Sequence, residues 1–159
     1  MRKTVACLIL MFCVILQGQE FELRISLENA HVGEIYFACQ KGATAGYDRG
    51  KDVFCPPGGM GDMGLAWFAA PEPQLPNLYK DIKDCTFPQQ WELLVQPPKR
   101  KIMSLNWEKE NFPEGLDFQL SGAGVTLDMK KTRKLPITTN GTFQISVRKS
   151  EPEKTDEKK

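Results

Sequence analysis

The sequence predicts an all-β protein built as an antiparallel β-sandwich, on two observations. Short segments in which apolar and polar residues alternate recur from Phe21 to Val147, with Gly, Pro, Asn or Asp between them. This alternation turns one face of each strand toward a core and the other toward water. Beyond the first 18 residues, no segment keeps the 3.6-residue period of an amphipathic helix. Eight or nine short strands joined by turns are typical of a sandwich.

The N-terminal segment, residues 1–18, has the pattern of a secretory signal peptide. Arg2 and Lys3 precede an unbroken apolar run at 5–16, and Gly18 supplies the small residue of a cleavage site. The run is shorter than the ~20 residues that span a bilayer. We therefore expect cleavage, no stable membrane span afterwards, and a secreted product that is extracellular or periplasmic.

The mature chain is predicted to hold one β-sandwich domain, residues 19–148, and a disordered charged tail, residues 149–159. The tail contains no apolar residue, so burial cannot offset the entropy of ordering it. The signal peptide contains Arg2 and Lys3, two of the 21 basic residues. The mature chain therefore has nearly as many basic residues as its 20 acidic ones. This balance argues against nucleic acid as a partner.

The alternating segments place the expected strands in order along the chain. They predict strands at 21–28, 34–39, 65–69, 78–82, 91–95, 102–107, 116–120, 125–129 and 143–147, with a shorter apolar run at Leu135 and Ile137. The first two are expected to form an antiparallel pair. Trp91 and Trp107 are in phase with the apolar residues of their strands and are predicted to be internal. Asn140-Gly141 separates the last two runs and predicts a hairpin turn.

A punctuated stretch at residues 45–57 separates the first strand pair from the rest. Its charges, glycines and proline pair predict a compact loop. Two readings stay open for Asp48 and Asp52. The carboxylates either lock turns by accepting backbone N–H groups, or bind calcium together with loop carbonyls. The spacing departs from an EF-hand loop. Cys55, Met60 and Met63 form a soft-ligand cluster of the kind that binds copper, but in a glycine-rich loop without a nearby histidine we interpret it as incidental.

The mature chain keeps three cysteines, enough for one disulfide with one thiol left over. The candidate bridges are Cys39–Cys55, which would enclose the punctuated stretch, and Cys55–Cys85. A bridge of the first kind would be worth roughly 3 kcal/mol in the chain-entropy model. The third alternative is that all three remain small buried apolar groups.

No catalytic constellation is evident, so we expect no enzymatic activity. The single histidine, His31, falls in a predicted turn without visible partners, and no GxSxG or SxxK motif occurs. No confident metal site is predicted. Because Trp91 and Trp107 are in phase with core residues, Trp67 and Tyr47 are the better candidates for exposed aromatic residues. Exposed rings of this kind could stack on sugars.

Part of the chain resembles a family of bacterial proteins. The residues Ala45-Gly46-Tyr47-Asp48, Gly50, Asp52-Val53 and Pro56-Pro57 resemble the YDxGxD…PP signature of extracellular β-sandwich modules. Such modules lie beside the C-terminal sorting or anchoring segments of surface proteins. The resemblance implies an immunoglobulin-like or fibronectin-III-like sandwich without catalysis. This chain departs from the pattern in ending with a charged tail.

These inferences predict a secreted, non-enzymatic β-sandwich module for binding or assembly at the cell surface or in the extracellular matrix. Its expected partner is a surface protein or a polysaccharide. The alternative is a carbohydrate-binding module that uses Trp67 and Tyr47.

Overall fold

The computed structural model describes residues 18–55 and 62–151, and strands dominate them. The only helical element in this part of the chain is a 3₁₀ turn, Lys109–Asn111. No described helix is long and apolar enough to cross a membrane. The predicted signal peptide lies outside the described residues except for Gly18. The strands are β1 Phe21–Glu28, β2 Glu34–Cys39, β3 Val53–Phe54, β4 Leu65–Phe68, β5 Leu78–Lys83, β6 Gln89–Gln96, β7 Met103–Asn106, β8 Leu116–Gly122, β9 Val125–Asp128, β10 Lys134–Ile137 and β11 Gly141–Lys149.

The eleven strands form one curled sheet in the order β10-β7-β1-β2-β5-β4-β6-β11-β8-β9, with β3 paired to β5. The two end strands, β9 and β10, follow each other in the chain and are joined by residues 129–133. The indole Nε1 of Trp107 donates to the carbonyls of Met129 (2.8 Å) and Thr132 (2.9 Å) in this connection. The sheet curls because one short segment has to reach both of its edges.

The prediction of an all-β fold is confirmed, but one strand pair differs from the expected antiparallel arrangement. β2 and β5 run parallel, from Tyr36 opposite Lys80 to Cys39 opposite Lys83. The reason is the long connection at 40–77, which returns the chain to the starting end of β2 before β5 begins. Parallel neighbours require a crossover of about a dozen residues or more, and this segment supplies it. The sheet is therefore mixed.

The core lies inside the curl and is rich in aromatic side chains. Phe21 of β1 packs against Phe118 of β8 with ring centroids 5.2 Å apart. Phe37 of β2 packs against Trp91 of β6 at 5.3 Å. Trp91 and Trp107 are 0% and 5% exposed, which confirms that both are internal. Rings of this size remove the most apolar area from water, at roughly 25 cal/mol per Å².

The hairpin predicted at Asn140-Gly141 is wrong. β10 pairs with β7, whereas β11 lies between β6 and β8. Residues 138–140 therefore carry the chain from one edge of the sheet to a strand in the opposite half. The pattern on each side of Asn140-Gly141 is a strand pattern, but the two strands take different partners.

The C-terminal end of β11 extends into the segment expected to be a tail. Lys149 is the last residue of the strand and pairs with Leu116. The backbone N–H of Ser150 donates to the carbonyl of Gly115 (2.9 Å), and its hydroxyl donates to Asp117 (2.6 Å). Residues 152–159 of the predicted tail lie outside the described part of the chain.

Candidate functional site

Asp48 shapes the loop that follows β2. Its carboxylate accepts hydrogen bonds from the backbone N–H of Thr44 and from the Thr44 hydroxyl (3.1 Å). Its carbonyl accepts the backbone N–H groups of Lys51 and Asp52, both at 3.0 Å. Asp48 thus closes a turn on each side of itself, as short carboxylate side chains do in loops.

Asp52 fastens this loop to the sheet. The residue is 4% exposed, and one carboxylate oxygen accepts the backbone N–H of Asp48 at 2.7 Å. The other oxygen accepts the backbone N–H of Ile82 in β5, also at 2.7 Å. Burial raises the pKa of the Asp52 carboxyl, and the two N–H donors partly oppose that effect.

All four carboxylate oxygens of Asp48 and Asp52 therefore accept donors from the protein itself. A calcium ion at this loop would have to share these oxygens with the donors that already bind them. Among residues 18–55 and 62–151, no group of three or more His, Cys, Asp or Glu side chains is arranged to hold a metal ion. The geometry favours the turn-locking reading of the two aspartates.

The three cysteines are free thiols, and the structure does not form either predicted bridge. The backbone N–H of Cys55 donates to the carbonyl of Asn77, at the start of β5. Cys39 lies opposite Lys83 at the end of β5, and Cys85 follows that end. The six residues of β5 span roughly 20 Å, whereas a disulfide needs Cα atoms about 4.4–6.8 Å apart. Both predicted pairings are wrong because Cys55 is at the other end of the strand.

Cys39 and Cys85 are close neighbours in the core. They are 1% and 7% exposed. Burial raises the pKa of the Cys39 thiol to about 12, and the Cys85 thiol adds to the rise. Burial likewise raises the pKa of Cys85. Because the thiolate is the nucleophile, neither group is suited to nucleophilic catalysis at neutral pH.

A buried carboxylate and a lysine, Asp81 and Lys83, share the core face of β5. Asp81 is opposite Phe37 and is 5% exposed. Its Oδ2 lies 3.8 Å from the Nζ of Lys83, which also donates to the carbonyl of Gln90 at 2.6 Å. Burial raises the pKa of Asp81 to about 6, the charge of Lys83 opposes the rise, and Asp52 adds to it. The Lys83 ammonium lies 5.7 Å from the centre of the Trp91 ring.

The sequence reasoning missed this pair. The signal that could have found it is the spacing of two, because residues i and i+2 of a strand share a face. In the structure β5 has neighbours on both sides.

The opposite face of the sheet carries a row of three side chains that we name the outer-face row: Arg24, Tyr36 and Lys80. They lie opposite one another on the adjacent strands β1, β2 and β5. The Lys80 Nζ is 5.9 Å from the centre of the Tyr36 ring. The row is thus a polar and aromatic strip held on three paired strands.

Three carboxylates surround the outer-face row. Arg24 pairs with Glu34 at 3.0 Å and with Glu108 at 3.3 Å, and Lys80 pairs with Glu22 at 2.7 Å. The Tyr36 hydroxyl donates to the Glu34 carboxylate. Exposed ion pairs contribute only about 0–1 kcal/mol each to stability. Their main consequence is a surface whose charged groups are held in fixed positions.

The two aromatic residues predicted to be exposed are both half-buried. Trp67 lies in the middle of β4 opposite Leu94, and its indole Nε1 is buried without a hydrogen-bond partner. Tyr47 stacks on Phe54 with ring centroids 4.5 Å apart and planes 11° apart. No ring pair joins Trp67 to Tyr47 among the described aromatic residues, so the structure does not bring them together as one platform. His31 is exposed in the turn after β1.

Comparison with known proteins matched no family model, no curated protein and no solved structure. A functional proposal for this chain therefore depends on its own residues and their geometry.

Proposed function

We propose that this chain is an exported, non-enzymatic, immunoglobulin-like β-sandwich module of a bacterium. It acts by binding or assembly at the cell surface or in the extracellular matrix, and its partner is a surface protein or a polysaccharide. The signal-peptide pattern of residues 1–18 supports export. The resemblance of residues 45–57 to the signature of bacterial surface modules supports the place of action.

The arrangement of the strands supports a sandwich with two layers. The halves of the curled sheet are β10-β7-β1-β2-β5 and β4-β6-β11-β8-β9, five strands each. The adjoining strands β5 and β4 pair through Phe68 and Leu78, and a bridge between Ala30 and Gly64 also joins the halves. Phe21 and Phe118 belong to different halves and pack against each other inside the curl. Side chains of two facing sheets fill a sandwich core in this way.

The chemistry of the described side chains supports binding over catalysis. The buried thiols have raised pKa values and are poor nucleophiles, as shown above. The Asp81 carboxyl is buried 3.8 Å from the Nζ of Lys83, and the backbone carbonyl of Asp81 accepts the indole N–H of Trp91 at 3.2 Å.

The observation that carries the proposal is the outer-face row. An aromatic ring between two cations, with carboxylates beside them, offers donors, acceptors and a ring on a strip held by three paired strands. Such a strip suits a hydroxyl-rich polysaccharide or a polar protein surface, since it can pair with many groups at once. The three paired strands hold the row in place before any ligand arrives, which lowers the entropy lost on binding.

The test is a binding screen of the purified protein against bacterial surface polysaccharides and secreted proteins. We expect Arg24→Ala and Tyr36→Ala each to weaken binding at least about tenfold, as loss of a central contact does. The matched control is Arg148→Ala, which removes another exposed ion-paired arginine, the partner of Asp117. Equal binding by the Arg24 and Arg148 variants would contradict a role for the row.

Two other results would change the proposal. If Trp67→Ala or Tyr47→Ala abolishes binding to a glycan while the row variants bind normally, the carbohydrate-binding alternative is favoured. If fractionation of cells places the protein in the cytoplasm with residues 1–18 uncleaved, the proposed export is wrong.

A further inference from the structure

We propose that Cys39 and Cys85 form a disulfide in the mature protein and that Cys55 remains a thiol. The two parallel strands β2 and β5 leave the sheet at the same end, β2 after Cys39 and β5 after Lys83. The backbone N–H of Gln40 donates to the carbonyl of Lys83 at 2.9 Å. The segments that follow β2 and β5 therefore remain adjacent beyond the strands, and Cys85 lies beside Cys39.

Contacts of the sulfur atoms support the pairing. The Cys39 Sγ donates to the carbonyl of Asp84, the residue before Cys85, at 3.5 Å. Each of the two thiols is also among the groups that shift the pKa of the other. Cys55 takes no part in this hydrogen bond and is not among the groups that shift the pKa of Cys39 or Cys85. It is held near Asn77, a strand length away from both.

An oxidant can reach the pair from the surface. Cys85 lines an open depression together with Glu20, Lys41 and Phe87. Cys39 lines a neighbouring depression that also includes Glu20. Cys85 is 7% exposed and Cys39 1%, so Cys85 is the cysteine of the pair that an oxidant meets first.

The oxidation is a thiol–disulfide exchange in two steps. The raised pKa of Cys85 makes the exchange slow, but its ionised fraction attacks the disulfide of the oxidant, a low-molecular-weight disulfide or a protein disulfide, and one thiol leaves. The Cys39 thiolate then attacks the Cys85 sulfur, the Cys39–Cys85 bond forms, and the second thiol leaves. Two protons and two electrons pass from the cysteines to the oxidant. In the cell this step needs an oxidising compartment and so rests on the proposed export.

The bridge would close the base of the crossover between β2 and β5. This crossover contains the loop held by Asp48 and Asp52. A cross-link around so long a segment restricts the unfolded chain, and the expected gain is a rise in Tm on the order of 10 °C.

The test uses the full chain carrying Cys7→Ser and Cys13→Ser, so that three cysteines remain. The protein is equilibrated with oxidised and reduced glutathione, free thiols are alkylated, and trypsin digestion is followed by mass spectrometry without reduction. Trypsin separates the cysteines, because Cys39, Cys55 and Cys85 fall in the peptides 25–41, 52–80 and 84–99. We expect a linked species of 25–41 with 84–99, and alkylated Cys55.

The control variant is Cys55→Ser, which should keep both the linked peptides and the rise in Tm on oxidation. Cys39→Ser and Cys85→Ser should lose both. A linkage through peptide 52–80, or three alkylated cysteines after oxidation, would overturn the proposal. Because the oxidant is supplied in vitro, this result does not depend on where the cell places the protein.

Discussion

Asp81 makes the stability of the protein depend on pH in the direction opposite to that of a paired surface carboxylate. The pKa of its carboxyl rises from 3.8 to about 6 on burial in the folded state. Between these values the folded protein binds more protons than the unfolded chain. The stability contributed by the neutral carboxyl is therefore complete below about pH 4 and is lost as the pH rises through about 6. Two pKa units correspond to about 3 kcal/mol.

Replacement of Asp81 by Asn tests this reasoning, because the amide keeps the shape and cannot ionise. At pH 7.5 we expect Asp81→Asn to unfold with a free energy about 1–3 kcal/mol higher than the wild type. The gain in stability is nearer 1 kcal/mol if the Lys83 ammonium is destabilised by losing the carboxylate 3.8 Å away. At pH 4 the two proteins should be nearly equal in stability.

The assay is urea denaturation at unit intervals from pH 4 to pH 8, with Asp117→Asn as the matched control. Asp117 is 44% exposed at its side chain and pairs with Arg148 on the surface, so its replacement should change stability by no more than about 0.5 kcal/mol. A less stable Asp81→Asn protein at pH 7.5, or a difference that does not vary with pH, would show that the pairing with Lys83 outweighs the cost of burial.

Further predictions concern the loop and one turn. Asp52→Ala should lower the free energy of unfolding by about 2–4 kcal/mol in urea titrations, because the N–H groups of Asp48 and Ile82 lose their acceptor. Asp48→Ala should lower it by about 0.5–2 kcal/mol, and an unchanged midpoint would contradict the turn-locking role. Millimolar calcium should leave Tm unchanged, whereas a rise that Asp48→Asn abolishes would establish a calcium site. Ala123 has a φ of 46° between β8 and β9, so Ala123→Gly should raise Tm by a few degrees, and a fall would argue against strain there.

The local pattern of the sequence was sufficient to predict where most strands lie, although β3, Val53–Phe54, falls in the stretch predicted to be a loop. β1 and β2 have the predicted bounds, 21–28 and 34–39. Each run of alternating residues is ended by turn-forming residues, and nothing in the fold overrides them. The two tryptophans predicted to be internal are internal because a strand with a period of two leaves each side chain only two faces.

Strand partners could not be predicted in the same way. Asn140-Gly141 has the composition of a hairpin turn, yet β10 and β11 pair with strands distant in sequence. The parallel pairing of β2 with β5 has no local signature either. Pairing depends on which apolar faces meet in the whole sheet, so the pattern of one segment does not decide it. Asp81 was missed for the same reason, since its burial follows from neighbours on both sides of β5.

The features that stand out in this molecule converge on β5. The loop at 44–52 is fastened to it through Asp52 and Ile82, β3 pairs with it, and Cys55 is held at its start. Apolar support for this loop comes from the small cluster of Ala38, Ala43 and Ile82, and from Tyr47, which stacks on Phe54. Hydrogen bonds of Asp48 and Asp52 supply the rest of its restraint. A disulfide between Cys39 and Cys85 would restrain the loop further, because it joins the end of β2 to the end of β5 where Asp52 holds Ile82.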